Sequence, residues 1–409
     1  MALISKLFGG SAYRKDNIPV CISTKYVVRR FWMKKLGTIK LIIGISLVAV
    51  LAVSIPMISS CTGPAPSPEP TPEPTPEPAP EPTPEPAPEP AAEGQTWHLR
   101  GISPQSQSIV QRDSIENYCD IVTEMSGGRV TFDWYAGGDL MPSEEEIPAL
   151  QAGTVDMLQW YPLMGTATEL RTIECGAPFA TKNAVEFRTL IHHRGLKELF
   201  EDSYAELGLV YLGPSLHDPL EIVSSKPAYS LEDMEGQRIQ LLAEHAYPFE
   251  QVGVSCMPTP PSDVYLAIQT GAMDGFGWSG ADEVVQFGMN EVAPYLWDPP
   301  FVDVCNVAYL INPDVWDSMP ADIQAILKYG LDHLDIWNES IRAHGEYKYR
   351  TDGSFEEICF LPDEDIEVLR GYGMEYLDIV AERNARCAQA VQIIKDFREE
   401  VDAANWYGH

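Results

Sequence analysis

From Trp97 onward, short apolar runs alternate with stretches in which apolar residues recur every three or four positions, and glycines mark the joins. Trp97–Ile102 alternates as a strand. Ser106–Met125 sets Ile109, Val110, Ile115, Ile121 and Val122 at helical spacing until Ser126-Gly127-Gly128 stops it. Arg129–Tyr135 alternates again, and a helix over Glu144–Ala152 comes next. Further on, Val252–Met257 reads as a short apolar strand broken by Pro258, Pro260 and Pro261. Ser262 or Asp263 then caps a helix carrying Val264, Tyr265, Ala267 and Ile268, Gly271 occupies the left-handed stop, and Phe276–Trp278 is a buried strand. Phe301–Ile311 reads as one strand and Ala321–Tyr349 as a long amphipathic helix through Ile323, Ile326, Leu327, Leu331, Leu334, Ile336 and Trp337. Asp363–Gly371 starts another helical region, and Gly373–Val401 continues it. Strand, capped helix, glycine and strand in succession predict an α/β chain with parallel pairing.

One pattern occurs twice. Leu150–Trp160 and Ile268–Trp278 both obey Gln-x-Gly-x-x-Asp-x-x-x-Trp, through Gln151, Gly153, Asp156, Trp160 and Gln269, Gly271, Asp274, Trp278. Either two helix–glycine–strand units coincide by chance, or two lobes share one construction and each sends a tryptophan toward a common crevice. Open α/β sheets hold ligands beyond the carboxyl ends of their strands. Two such lobes facing each other predict a cleft that closes by hinge motion.

The N-terminal part has another character. Lys34, Lys35 and Lys40 precede the apolar run Leu41–Ile58, and Ile58-Ser59-Ser60-Cys61 has the form of a lipobox. Cys61 is then the acylated first residue of the mature chain. The competing reading is an uncleaved membrane span. After Cys61, alternating proline and glutamate favour an extended polyproline II spacer, on the order of 90 Å over about thirty residues. A formal charge of −32 argues against nucleic acid as a partner, since phosphate backbones select Lys and Arg. The cysteines Cys119, Cys175, Cys256, Cys305, Cys359 and Cys387 include no C-x-x-C, so a zinc or redox motif finds no support and disulfide pairing stays open.

The stretches Glu124-Met-Ser-Gly-Gly-Arg-Val130, Tyr135-Ala-Gly-Gly-Asp-Leu140, Leu150-Gln-Ala-Gly-Thr-Val-Asp-Met157, Ala177-Pro178-Phe179 and Val264-Tyr-Leu-Ala-Ile-Gln-Thr-Gly-Ala-Met-Asp-Gly275 occur in that order. Together they resemble the substrate-binding proteins of TRAP transporters, the DctP-like family. The resemblance spans Trp97 to about Pro320 and implies a two-lobed periplasmic-binding-protein-like α/β fold, with a hinged cleft and a long connecting helix. It implies a receptor that delivers a small, usually carboxylated solute to TRAP-type permease subunits, without catalysis or cofactor. Trp278, Phe287-Gly288 and Val292-Ala293-Pro294-Tyr295 look nearest the branch that binds 2-oxo and 2-hydroxy acids. The expected division is 1–60 leader, 61–94 linker, 95–218 first part of lobe I, 219–303 lobe II, 304–345 the return to lobe I with the spanning helix, and 346–409 C-terminal helices. The body is expected outside the cytoplasm, tethered to the membrane through Cys61.

The chain also departs from the family pattern. The arginine of "GLKxR", which in the family clamps the ligand carboxylate, is replaced by Gln240, with Arg238 at the usual lysine position. Either Arg238 substitutes for the anchor, or it is a solvated surface charge. A neutral or amide-like ligand, a carboxylate held by Arg100, Arg171 or Arg238, and a register shifted by one residue all fit this change. The Glu-Trp of the cation-binding branch is here Gly277-Trp278, so no metal is expected. Trp160, Tyr161 and Trp278 are candidates to sandwich a solute, against the plainer reading of core packing. His217, beside Asp218 at the first crossing between lobes, reaches the cleft or is structural. Asp156 and Asp274 are expected to brace backbone. The readings from other classes are an enzyme using the same cleft and an orphan sensor or scavenger lipoprotein. The first would need an activated nucleophile in the pocket.

Overall fold

The computed structural model describes residues 94–103, 109–164, 167–217 and 219–404. The leader, the lipobox and the Pro/Glu tract lie outside the described residues. In chain order the first elements are β1 (Trp97–Ser103), α1 (Ile109–Met125), β2 (Val130–Ala136), α2 (Glu146–Gln151), β3 (Met157–Trp160), α3 (Arg171–Cys175), α4 (Ala184–His193), α5 (Leu196–Glu206) and β4 (Val210–Leu216). Next come β5 (Leu220–Ser224), α6 (Leu231–Met234), β6 (Arg238–Gln240), α7 (Ala243–Gln251), β7 (Ser255–Met257), α8 (Pro261–Gln269), β8 (Gly275–Ser279), α9 (Ala281–Gln286) and β9 (Tyr295–Val302). The chain ends with β10 (Asn306–Ile311), α10 (Pro313–Asp317), α11 (Ala321–Tyr349), β11 (Glu357–Phe360), α12 (Asp363–Ala381) and α13 (Ala385–Ala404).

These strands form two sheets, β2-β1-β3-β10-β4 in lobe I and β11-β9-β5-β8-β6-β7 in lobe II. Both follow one plan. Parallel trios β2-β1-β3 and β7-β6-β8 are each continued by antiparallel strands, β10-β4 in one lobe and β5-β9 in the other. The repeated motif occupies the same place in each. Gly153 and Gly271 end α2 and α8 with φ of +69° and +72°, a conformation glycine adopts without steric cost. Asp156 N donates to Arg100 O and Asp274 N to Arg238 O, each at 2.8 Å, so the same backbone bond launches β3 and β8. The shared plan is therefore physical, not a chance likeness of letters.

The chain changes sheet three times: two direct crossings lie between β4 and β5 and between β9 and β10, and α11 then carries the chain back to the lobe II sheet at β11. The run Phe301–Ile311, expected as one strand, is accordingly split by Asp303-Val304-Cys305, because its two ends pair in different sheets. The two crossings are bonded to each other, His217 N donating to Cys305 O at 2.6 Å.

α8 starts at Pro261 behind Pro260, with no side-chain cap from Ser262 or Asp263. Proline at the first helical position lacks the N–H that a cap would satisfy. α12 runs unbroken through Gly371 and Gly373, and the helical region is interrupted only after Ala381. A Cβ on Gly373 would lie 2.4 Å from Pro178 O, so the glycine serves close packing on the Pro178–Phe179 turn.

α11 spans both lobes. Towards lobe I, Asp335 accepts from Leu216 N at 2.8 Å, and Asn338 bonds Ser114 and Ser215 at 2.5 and 2.8 Å. Towards lobe II, Arg350 at its C-terminus meets Glu221 of β5 and Asp298 of β9, and a Cβ on Gly345 would lie 2.5 Å from Asp282 Cγ of α9. One buried apolar cluster runs through both lobes from Leu99 and Tyr309 to Ile239 and Phe301. A second lies on the other face of the lobe I sheet, and a third packs β8 against α8 and α9.

Candidate ligand site

At the carboxyl ends of the parallel strands β3 and β6 the chain leads into segments that meet through one ion pair. β6 leads directly into α7, whose first turn carries Glu244, and β3 leads through the next turns to α3. Arg171 of α3 donates through Nε to Glu244 at 2.8 Å, tying lobe I to lobe II at these ends. Near this line the Ala177-Pro178-Phe179 turn holds Phe179 at φ +56°, a conformation side chains disfavour. It is fixed by a 2.7 Å bond from Phe179 N to Phe301 O and by the ring of Phe249 at 6.0 Å.

On the lobe I side, a buried polar network gathers where the crossing begins. Tyr309 of β10 sits opposite Gln159 of β3, and Gln159 Nε2 lies 3.0 Å from the Tyr309 hydroxyl. Ser103, ending β1, donates to Gln159, and His217 Nε2 is 3.4 Å from the Gln159 amide nitrogen. Arg342 of α11 donates from Nη2 to His217 Nδ1 at 3.0 Å. A guanidinium only donates, so Nδ1 is the acceptor and Nε2 carries the ring proton. That proton is satisfied when the Gln159 amide presents its oxygen to the ring, in which case its nitrogen donates to Ser103 instead of its oxygen accepting. Burial, together with the Arg342 charge, holds the His217 pKa well below the usual histidine range. His217 is thus a neutral hydrogen-bonding group at the crossing.

On the lobe II side, Gln240 ends β6 between Met257 of β7 and Phe276 of β8. It is 3 % exposed, and its Oε1 is buried without a hydrogen-bond partner. An acceptor left in that state costs about 1–3 kcal/mol, which a donor arriving from a ligand would recover. Gly277 offers no space for the carboxylate of the cation-binding branch. A Cβ there would meet Leu241, Ile222 and Phe301 at 2.8–3.0 Å. Among the described residues no group of three or more His, Cys, Asp or Glu is arranged to hold a metal.

Arg238 is engaged elsewhere, neither at the ligand edge nor as a loose surface charge. Its backbone N, Nε and Nη2 all donate to Asp274 at 2.9–3.0 Å, and Nη1 and Nη2 reach Ala272 O and Gly271 O. Arg100 repeats this on Asp156 and Gly153 O in lobe I. Burial pushes the Asp274 carboxyl up, but hydrogen bonds from Arg238 and Lys226 more than reverse this and hold it well below the usual range. All three arginines considered from the sequence therefore have carboxylate partners: Arg100 with Asp156, Arg238 with Asp274 and Arg171 with Glu244.

The structure does not bring the aromatic residues together. In β3 Leu158 and Trp160 share one face and Gln159 takes the other, so Trp160 packs with Ile102 and Leu170 on the outside of the lobe I sheet. Trp278 lies in the third cluster, its ring 4.5 Å from that of Phe276. Tyr161 is buried in the central cluster beside Cys175 and Cys305. Gln159, Tyr309, Ser103 and Arg342 were not singled out from sequence. A signal existed: Gln159 interrupts an otherwise apolar strand, and Asp335, Asn338 and Arg342 fall on the apolar stripe of α11.

With the geometry described, the chain can be set beside known proteins. The family model described as bacterial extracellular solute-binding protein, family 7 (DctP), matches residues 102–368. A monocarboxylate 2-oxoacid-binding periplasmic protein of Nostoc sp. is 24% identical over 295 residues, covering 69% of this chain and 79% of that protein. A TRAP periplasmic solute-binding protein of Chromohalobacter salexigens, solved with (S)-(+)-2-amino-1-propanol, superposes with a TM-score of 0.68 at 24% identity over 76% of this chain and 98% of that one. Another from Colwellia psychrerythraea, solved with calcium and pyruvate, gives 0.68 at 17% identity over 76% and 97%. The matched span holds both copies of the repeat, both crossings and the spanning helix, and on that ground the chain belongs to the DctP family of bacterial extracellular solute-binding proteins.

Proposed function

We propose that this TRAP-type solute receptor takes a small organic acid that also carries a hydrogen-bond donor, with a 2-hydroxy monocarboxylic acid as the leading class. The observation that carries this reading is the buried, unpartnered Oε1 of Gln240 at the edge of β6. An arginine at that position would only donate, whereas Gln240 both donates and accepts, so a hydroxyl on the ligand completes it. Arg342 stands at the same crossing, donating to His217. The relatives solved with pyruvate and with an amino alcohol support a small polar solute. A thermal-shift panel of 2-hydroxy acids, 2-oxo acids, amides and amino alcohols tests it, since a ligand of the native state raises Tm by mass action. Lactate-like acids should stabilise the protein, and Gln240→Ala should weaken them roughly tenfold. Stabilisation by neutral solutes alone would remove the acid from the proposal.

The body is tethered outside the cytoplasm by an acyl chain on Cys61, with the Pro/Glu tract as spacer. The support is the lipobox and the proline- and glutamate-rich composition of the segment after Cys61. Cys61→Ser should abolish labelling by a radioactive fatty acid and release the protein from membranes. Persistent membrane retention without label would instead favour an uncleaved span.

A further inference from the structure

The one thiol–thiol contact among the described residues joins two distant parts of the chain. Cys175, closing α3, and Cys305, in the segment between β9 and β10, are 130 residues apart in sequence and have Sγ atoms 3.2 Å apart. They are 0 % and 2 % exposed. The backbone enforces the approach. Gly176 has φ +102°, and a Cβ there would lie 2.7 Å from Val304 O, so the two segments touch main chain to main chain. Closing 3.2 Å to a bond of ~2.05 Å takes about 1 Å, within the reach of side-chain rotation. Members of this family work outside the cytoplasm, where such pairs oxidise and stay oxidised.

We propose that Cys175 and Cys305 are joined by a disulfide in the mature protein, formed as the chain folds, which staples α3 to the second lobe crossing. Two S–H bonds break and one S–S bond forms. The two protons and two electrons pass to a disulfide oxidant, whose S–S bond breaks and which leaves as a pair of thiols. Burial raises the Cys175 thiol well above its ordinary range, so little thiolate exists once the core has closed. The bond therefore forms before closure and resists reductants afterwards. Its mechanical effect falls on the lobe contact, because α3 also carries Arg171 to Glu244 of lobe II.

The test takes the full chain from an extracytoplasmic fraction, denatures it in iodoacetamide without reductant, and maps its peptides by mass. A peptide pair linking Cys175 to Cys305 and lost on dithiothreitol treatment is expected, with Cys119, Cys256, Cys359 and Cys387 alkylated. Protein reduced while unfolded and then refolded in dithiothreitol should melt lower by roughly 5–10 °C. Cys305→Ala should show the same lower Tm, now insensitive to dithiothreitol. If that variant does not fold, the wild-type peptide map alone decides. The proposal is overturned if all six thiols are alkylated both as isolated and after refolding with oxidised glutathione, or if the cross-link involves another pair.

Discussion

Asp274 shows how much one carboxylate can organise. It accepts the backbone N–H and the guanidinium of Arg238, and its Oδ1 takes Lys226 Nζ at 2.9 Å. Its folded pKa is depressed, so its contribution is complete above the ordinary carboxylate value of ~4 and is lost only as pH falls through the depressed one. Asp274→Asn should cost on the order of 1–3 kcal/mol, held to that range because the Arg238 side chain is 38% exposed. Asp156→Asn should cost less, lacking the lysine. Both should leave solute affinity within about twofold, as measured by urea denaturation and titration of the ligand. The role of these aspartates was legible because glycine, aspartate and their spacing all reside in one short segment. Gln159, Tyr309, His217 and Arg342 were not legible as a group. They come from three elements and the segment after β4, up to 183 residues apart, as the interval from Gln159 to Arg342 shows, and only the folded chain assembles them.

Among the elements, α11 carries the heaviest structural duty. Its apolar period was plain in the sequence, but not that polar residues on the same stripe would fasten it to lobe I, nor that Arg350 would fasten it to lobe II. Gly345 marks the second attachment. Gly345→Ala gains ~1 kcal/mol of helix propensity, but its Cβ, 2.5 Å from buried Asp282 Cγ, forces α9 to shift. A net loss of about 1–2 kcal/mol is expected, read as a lower denaturant midpoint with an unchanged m-value. An unchanged midpoint would mean that α9 yields freely. The division of Phe301–Ile311 into two strands teaches a complementary lesson. Local alternation continues smoothly through Asp303-Val304-Cys305, while the partners on either side belong to different sheets, and partner choice is not a local property.

For the molecule as a whole, buried titratable groups set the pH at which it is most stable. Burial lowers His217 and brings His245 down to about 4. Stability from these two is complete above the unfolded value of ~6.5 and falls as pH drops toward the folded values. Burial raises Glu146 to about 7 and Glu174 to about 8. Unfolded glutamates ionise from ~4.3, so between that value and the raised ones stability falls as pH rises. The two trends oppose each other between about pH 4.5 and 6.5, giving a plateau there and a decline toward pH 8. Glu174→Gln should flatten the alkaline side, gaining on the order of 1–3 kcal/mol over wild type at pH 8 and little at pH 5. Urea titrations at pH 5, 6.5 and 8 check this, and a wild-type profile flat above pH 6.5 would contradict it. The paired clamps of Arg100 on Asp156 and Arg238 on Asp274 have one more consequence, for how such chains are classified. The signature that announces the chain most loudly encodes scaffold: its aspartates are spent on backbone and on Arg100 and Arg238. On the proposed function, the solute is met instead at a position that the signature leaves blank, Gln240.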